Sequence, residues 1–183
     1  ANAGVPRLRA APDVPGAPGV STPRIALATC EELPGLDPDD RLLPPALAAI
    51  GIASEPVRWD DPGADWEAFA LVAVRNPWDS PGRRDEFLAW AERTPRLVNP
   101  PHVLRWTTDK RYLIELEAAG LPVVHTVFAE SPADVPEPGP DGVVVKPSVG
   151  VGSVDAGRHG GRASAGRHVA GPLPSGRAAM GRP

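Results

Sequence analysis

Residues 71–75 read LVAVR, an unbroken aliphatic run that stops at Asn76-Pro77. Five residues are too few for a helix with a core-facing stripe. Valine fits a pleated surface better than a helical one, so the run predicts a buried strand. Toward the N-terminus, residues 55–59 (EPVRW) predict a second strand, separated from the first by an Asp/Pro/Gly loop. Residues 24–29 (RIALAT) form a third such run, ended by Cys30, Glu31-Glu32 and the turn residues Pro34, Gly35 and Pro38. Between these strands Leu42, Leu43, Ala46, Leu47 and Ile50 recur at intervals of three and four. That spacing predicts an amphipathic helix capped by Asp39 or Asp40, carrying Pro44 and Pro45 near its first turn and ended by Gly51.

Toward the C-terminus, Phe87, Leu88, Trp90 and Ala91 mark another helix, and residues 96–99 predict a fourth strand halted by Pro100-Pro101. Alternating strands and helices argue for an α/β class: a small parallel sheet with helices on its faces, where ligands gather beyond the carboxyl ends of the strands. Cys30, Asn76 and Asn99 belong to that edge. Next, residues 109–120 (DKRYLIELEAAG) predict a helix capped by Thr107 or Thr108 and closed by Gly120, packing through Tyr112, Leu113 and Leu116. A strand over 122–130, an acidic Pro-rich loop and a strand over 143–148 (VVVKPS) follow. The small-residue run SVGVGS, 148–153, comes after Lys146.

Composition narrows the function classes. The net charge is −4, with 19 basic and 23 acidic residues among 183, which gives no general reason to expect nucleic acid or an anionic membrane as partner. From Pro147 onward, however, five Arg accompany a single Asp. No stretch nears the roughly 18 apolar residues that read as a membrane span. One cysteine, Cys30, permits no internal disulfide and fits a cytoplasmic location; burial at its strand end is the expected role. The 19 glycines and 25 prolines crowd the two ends, so residues 1–23 are expected to be a disordered leader. Glu31-Glu32 and Asp60-Asp61 lie in turn-rich segments and are expected to be solvated. His102, His125, His159 and His168 lack metal-ligand spacing, so no metal site is expected.

Only two of the basic residues are lysines. Lys110 stands at the start of a predicted helix, where free N–H groups favour an anion. Lys146 ends an apolar strand just before a glycine loop able to bring backbone amides to phosphate oxygens. The pair describes a polyphosphate site.

These features occur in an order that resembles the ATP-grasp superfamily of carboxylate-amine ligases: Asn99-Pro100, Asp109-Lys110, AGLPVVHT over 119–126 and VVKPSVGVGS over 144–153. The glutathione-synthetase-like branch that includes the cyclo-ligase of cycloserine biosynthesis is the nearest in pattern. Its R-x-x-W-D element is matched by Arg75-Asn76-Pro77-Trp78-Asp79, although Asn76, Pro77 and Ser80 stand where that branch usually has small hydroxylated residues and a Tyr. The resemblance implies a pre-ATP-grasp domain over 24–102, the start of an ATP-grasp nucleotide-binding domain over 103–158, and a degraded or disordered tail over 159–183. It implies that Lys110, Lys146, Ser148, Gly150, Gly152 and Ser153 bind ATP, and that Arg75, Trp78 and Asp79 face small-molecule carboxylate and amine substrates.

The chemistry implied is ATP-dependent activation of a carboxylate as an acylphosphate, which an amine then displaces. In the family the adenine hinge and the magnesium ligands follow the glycine loop at a distance, so Mg2+ is expected only for a complete enzyme. The isolated chain is expected to be inactive. The alternative is a non-enzymatic α/β binding domain or a pseudogene remnant. Gly171, Pro172 and Pro174 are expected to break the family's next helix.

Overall fold

The computed structural model describes residues 23–169 and 177–181. Its first region is a four-stranded parallel sheet of β1 (Arg24–Thr29), β2 (Ala53–Arg58), β3 (Leu71–Asn76) and β4 (Leu97–Val98), in the order β2-β1-β3-β4. The sheet needs little volume at its centre, where Ala26, Ala28 and Val72 are fully buried. Bulk comes from the connections. Helix α2 (Arg84–Arg93) buries Phe87, Leu88, Trp90 and Ala91, the four residues its periodicity marks. Phe87 stacks on Trp90 at 5.4 Å, while Trp59 and Trp66 meet Trp90 edge-on at 6.1 and 5.4 Å. Edge contacts of this kind pair the positive rim of one ring with the negative face of the next.

The helix between β1 and β2, α1 (Leu43–Ala48), forms but buries none of its residues. Leu42 and Ile50, at its two ends, are 73% and 71% exposed. Periodicity marks a face that can be buried, yet this helix lies against the edge strand β2, which has little surface to cover it. The expected cap is also absent. Asp40 turns instead toward Arg75 and Asn76.

Pro100-Pro101, expected to stop a strand and no more, also starts helix α3 (Pro101–Thr107). Proline suits a first helical position because its φ is already set and its missing N–H has no partner there. Thr108 therefore ends α3 rather than capping the next helix, and α4 (Tyr112–Ala118) is shorter than predicted. Tyr112, Leu113 and Leu116 are its half-buried residues, whereas Ile114 is exposed.

The second region is an antiparallel sheet of β5 (Thr126–Ala129), β6 (Val143–Pro147), β7 (Gly157–His159) and β8 (Arg177–Gly181), ordered β5-β8-β6-β7. Its core is smaller: Ala129, Val135, Val143, Val145 and, from α5 (Arg162–Val169), Ala165 and Val169. At the mouth of the β6–β7 hairpin Gly142 has φ +78°, and a Cβ there would lie 2.6 Å from the His159 carbonyl oxygen, so only glycine fits. The stretch expected to be a degraded tail supplies three elements of this sheet layer: the end of β7, α5, and β8, which pairs with both β5 and β6. Gly171, Pro172 and Pro174 fall after α5, outside the described residues, as do residues 1–22 of the leader predicted over 1–23. Among the described residues no helix is long and apolar enough to cross a membrane.

Candidate functional site

Alternation along β6 sends Val143 and Val145 into the core and leaves Val144 and the half-buried Lys146 on the other face. The strand then delivers the chain into the glycine-rich loop, and Lys110 meets it there. The Lys110 backbone N–H donates to the Ser148 carbonyl at 2.9 Å, and its ammonium donates to the carbonyls of Ser148 and Gly150 at 3.2 and 3.1 Å. Burial, and then the neighbouring charge of Lys146, pulls the Lys110 pKa below that of an ordinary lysine, with Asp109 opposing. Two cations held close enough to disfavour one another make a place where an anion is stabilised.

Ser148 adds to this. It is fully buried, and its Oγ has no hydrogen-bond partner among the described residues. An unpaired buried hydroxyl costs free energy unless something accepts from it or donates to it. Beyond it the loop turns through Gly152, Ser153 and Asp155 at φ of +60°, +58° and +54°, two of them without glycine's freedom. The predicted ATP-binding residues are thus contiguous in space, and Lys110 is fixed by backbone hydrogen bonds rather than by a helix beginning at its own position.

Arg75 is the penultimate residue of β3, and Trp78 and Asp79 follow the strand's carboxyl end. The Arg75 guanidinium pairs with Asp40, and the Asn76 amide donates to the same carboxylate at 2.8 Å. The hydrogen bond from Arg75 is the main reason that the Asp40 carboxyl lies below the usual carboxylate range; burial opposes it and Asn76 adds to it. Trp78 is 49% exposed. Asp79 is differently engaged: one oxygen accepts from the Trp59 indole N–H at 2.8 Å and the other from Arg83 at 3.2 Å. Arg83 also lies over the Trp59 ring at 4.6 Å and pairs with Asp60 at 2.7 Å, which makes Asp60 an anchor rather than a solvated loop acid.

A cavity of about 440 Å3 separates the start of α2 from the glycine loop, lined by Pro81, Gly82, Arg83, Arg84, Asp85, Glu86 and Val149. The segment after the Trp-Asp pair and the glycine loop therefore share a wall, which Arg75 does not line. Sequence reasoning missed Asp40 and Arg83, since partners 35 and 23 residues away leave no local pattern. It also missed the contact of His159 Nε2 with His168 Nδ1 at 2.8 Å. Cys30 is buried, as expected. Among the described residues no group of three or more His, Cys, Asp or Glu is placed to hold a metal ion.

Residues 25–99, the parallel-sheet region, match the family described as D-cycloserine synthetase DcsG, N-terminal domain. The cycloserine biosynthesis protein DcsG of Streptomyces lavendulae is 37% identical over 156 residues, which is 76% of this chain and 52% of that protein. In three dimensions the chain is similar to the crystal structure of D-cycloserine synthetase DcsG, with TM-score 0.75 and 34% identity over 87% of this chain and 59% of the other. The chain has the fold of an ATP-grasp protein. A RimK domain ATP-grasp protein from Sphaerobacter thermophilus shares the fold at TM-score 0.59 and 18% identity, over 86% of this chain and 63% of that one. The chain spans about half the length of the Streptomyces protein it matches.

Proposed function

We propose that this ATP-grasp chain carries the substrate-side domain and the first part of the ATP site of an ATP-dependent carboxylate-amine ligase. The observation that carries the reading is the convergence of Lys110, Lys146 and the unpartnered Ser148 hydroxyl on one glycine-rich loop. Two ammonium groups, a free hydroxyl and backbone turned through left-handed conformations suit an ATP polyphosphate. Bound ATP would supply the phosphoryl group that activates a substrate carboxylate as an acylphosphate, open to an amine, with Mg2+ offsetting phosphate charge.

Within that chemistry Lys110 and Lys146 hold the phosphates. Ser148 donates its hydroxyl, and Gly150, Gly152 and Ser153 let the backbone approach. Lys110 has a second task, because its ammonium already bonds the loop carbonyls and so sets where the loop begins to turn. Arg75 offers the guanidinium donors that Asp40 leaves free to a small-molecule carboxylate, in the planar fork geometry that suits it. Exposed Trp78 lies beside the substrate. Asp79 acts through position, since Trp59 and Arg83 hold it next to Trp78 in the chain.

Titration of the chain with Mg-ATP, followed by melting temperature and calorimetry, tests the site. The parent chain is expected to gain a few degrees at saturating nucleotide. Lys146→Ala is expected to weaken binding at least about tenfold, roughly 1.4 kcal/mol, and to abolish most of that gain. An equal rise in parent and variant would refute the assigned phosphate contacts.

A further inference from the structure

The two histidines of the second region form a hydrogen-bonded chain whose proton positions are fixed by one end. His168 Nε2 lies 2.9 Å from the Asp155 carbonyl, which can only accept, so Nε2 carries a proton. In a neutral ring the His168 Nδ1 is then an acceptor, and His159 Nε2, 2.8 Å away, must be the donor. That leaves His159 Nδ1 to accept from the Ser164 hydroxyl at 2.7 Å. With both rings neutral, all four imidazole nitrogens are paired. Gly157 makes the arrangement possible. A Cβ at that position would sit 2.6 Å from His168 Nδ1 and 2.9 Å from His159 Nε2.

The chain joins three elements. His159 is the last residue of β7, Ser164 and His168 lie on α5, and Asp155 is a left-handed residue of the glycine-rich loop. We propose that the His159–His168 pair is a proton-operated latch that holds the glycine-rich loop against α5 at neutral pH and releases it in mild acid. One added proton is tolerated, because His159 can take it on Nδ1 and Ser164 can reverse to accept. A second leaves two N–H groups facing each other across 2.8 Å, between two adjacent positive rings.

The surrounding charges favour release. Arg167, beside His168 on α5, is cationic, and burial, His168 and Arg167 in that order hold the His159 pKa below the ordinary imidazole value. The one carboxylate on the loop side, that of Asp155, is exposed to solvent, and the other nearby groups are committed elsewhere. Arg158 on β7 bonds the Asp141 carbonyl, Arg162 on α5 pairs with Glu137, and Asp134 accepts from Ser131. From β6 the one titratable residue is Lys146, also a cation. A depressed imidazole pKa contributes its stability above about 6.5 and loses it as pH falls through the lower folded value. The latch concerns loop conformation with or without nucleotide, so its success or failure is separate from that of the phosphate site.

Amide exchange in the whole chain tests it at the loop N–H groups of Val154 and Ala156, which bond the carbonyls of Val151 and Ser153. After correction for intrinsic rates, their protection is expected to fall by about tenfold or more from pH 7.5 to pH 5. His159→Gln keeps a donor for His168 without taking a proton and is expected to hold protection at pH 5. His168→Ala is expected to lose it at both pH values. Nitrogen-15 spectra of the parent's imidazoles provide a check independent of any variant, with Nε2–H expected on both rings at pH 7.5. A Nδ1–H tautomer on His168, flat protection in the parent, or an unchanged pH response in His159→Gln would overturn the latch.

Discussion

The two sheets of this chain are built from different materials. The parallel sheet packs against Trp59, Trp66, Phe69, Phe87 and Trp90, and is stapled at its rim by Arg83, Asp60 and Asp79. Among the described residues, the buried core of the antiparallel sheet consists of valines and alanines. Aromatic side chains remove far more apolar area from water per residue than valine or alanine, so the first region has the larger reserve of stability. The glycine-rich loop grows from the region with the smaller reserve. The proposed role, rearrangement around a polyphosphate, suits that end of the stability range, because a tightly packed anchor would resist the motion. A rigid first region and a more pliant second one are thus written in residue choice.

The largest effect expected follows from this contrast. Phe87→Ala removes a ring that touches both Trp59 and Trp90 and should cost about 3–5 kcal/mol. Val145→Ala, at the centre of the second core, should cost about 2 kcal/mol. All five tryptophans lie at or before position 106, so their fluorescence reports the first region and α3. In urea, Phe87→Ala should lower the fluorescence midpoint sharply. Val145→Ala should leave it in place and instead weaken amide protection along β6. Equal shifts of both probes in both variants would mean that the two sheets unfold as one body and that the contrast in stability is false.

A middle-sized effect sharpens the assignment at the rim. Asp79 holds the Trp59 N–H and Arg83, so Asp79→Ala strands a buried donor and should cost about 1–3 kcal/mol, with a shift in tryptophan emission. Arg75→Ala removes an exposed ion pair with Asp40 and should cost at most about 1 kcal/mol. The reverse ranking, with Arg75 dominating stability, would make Arg75 the anchor and leave Asp79 free to face a substrate.

Which parts were legible in the sequence follows the range of the forces involved. Strand β3 as LVAVR, strand β6 as VVVK and the four buried residues of α2 were readable, since alternation and helical spacing are local properties. The lysine pair was readable because only two lysines exist and each stands in a motif. The grip of Lys110 on carbonyls 38 and 40 residues away was not, nor was the pairing of Asp40 with Arg75 across 35 residues. Pro100-Pro101 misled for another reason. The same fixed φ that ends a strand begins α3, and local sequence does not choose between the two roles. The C-terminal strand had no local signature either, because β8 is ordered by backbone pairing with β5 and β6, strands far upstream.

The smallest effect bears on helix α1, where the first region departs from its own rule. By periodicity Ile50 belongs to a core face, and a buried isoleucine replaced by a polar residue would cost several kcal/mol. In the structure Ile50 is 71% exposed and Leu42 73%. Ile50→Ser is therefore expected to change the urea midpoint by no more than about 0.5 kcal/mol equivalent, as for an ordinary surface site. A loss of 2 kcal/mol or more would show that something covers α1 in solution, and sedimentation of parent and variant would then tell a second copy of the chain from a rearranged helix. A dimer lost in Ile50→Ser would place the association surface on the outer edge of the parallel sheet, beside β2. That is the side of the sheet opposite to β4, since β2 and β4 are its two edge strands.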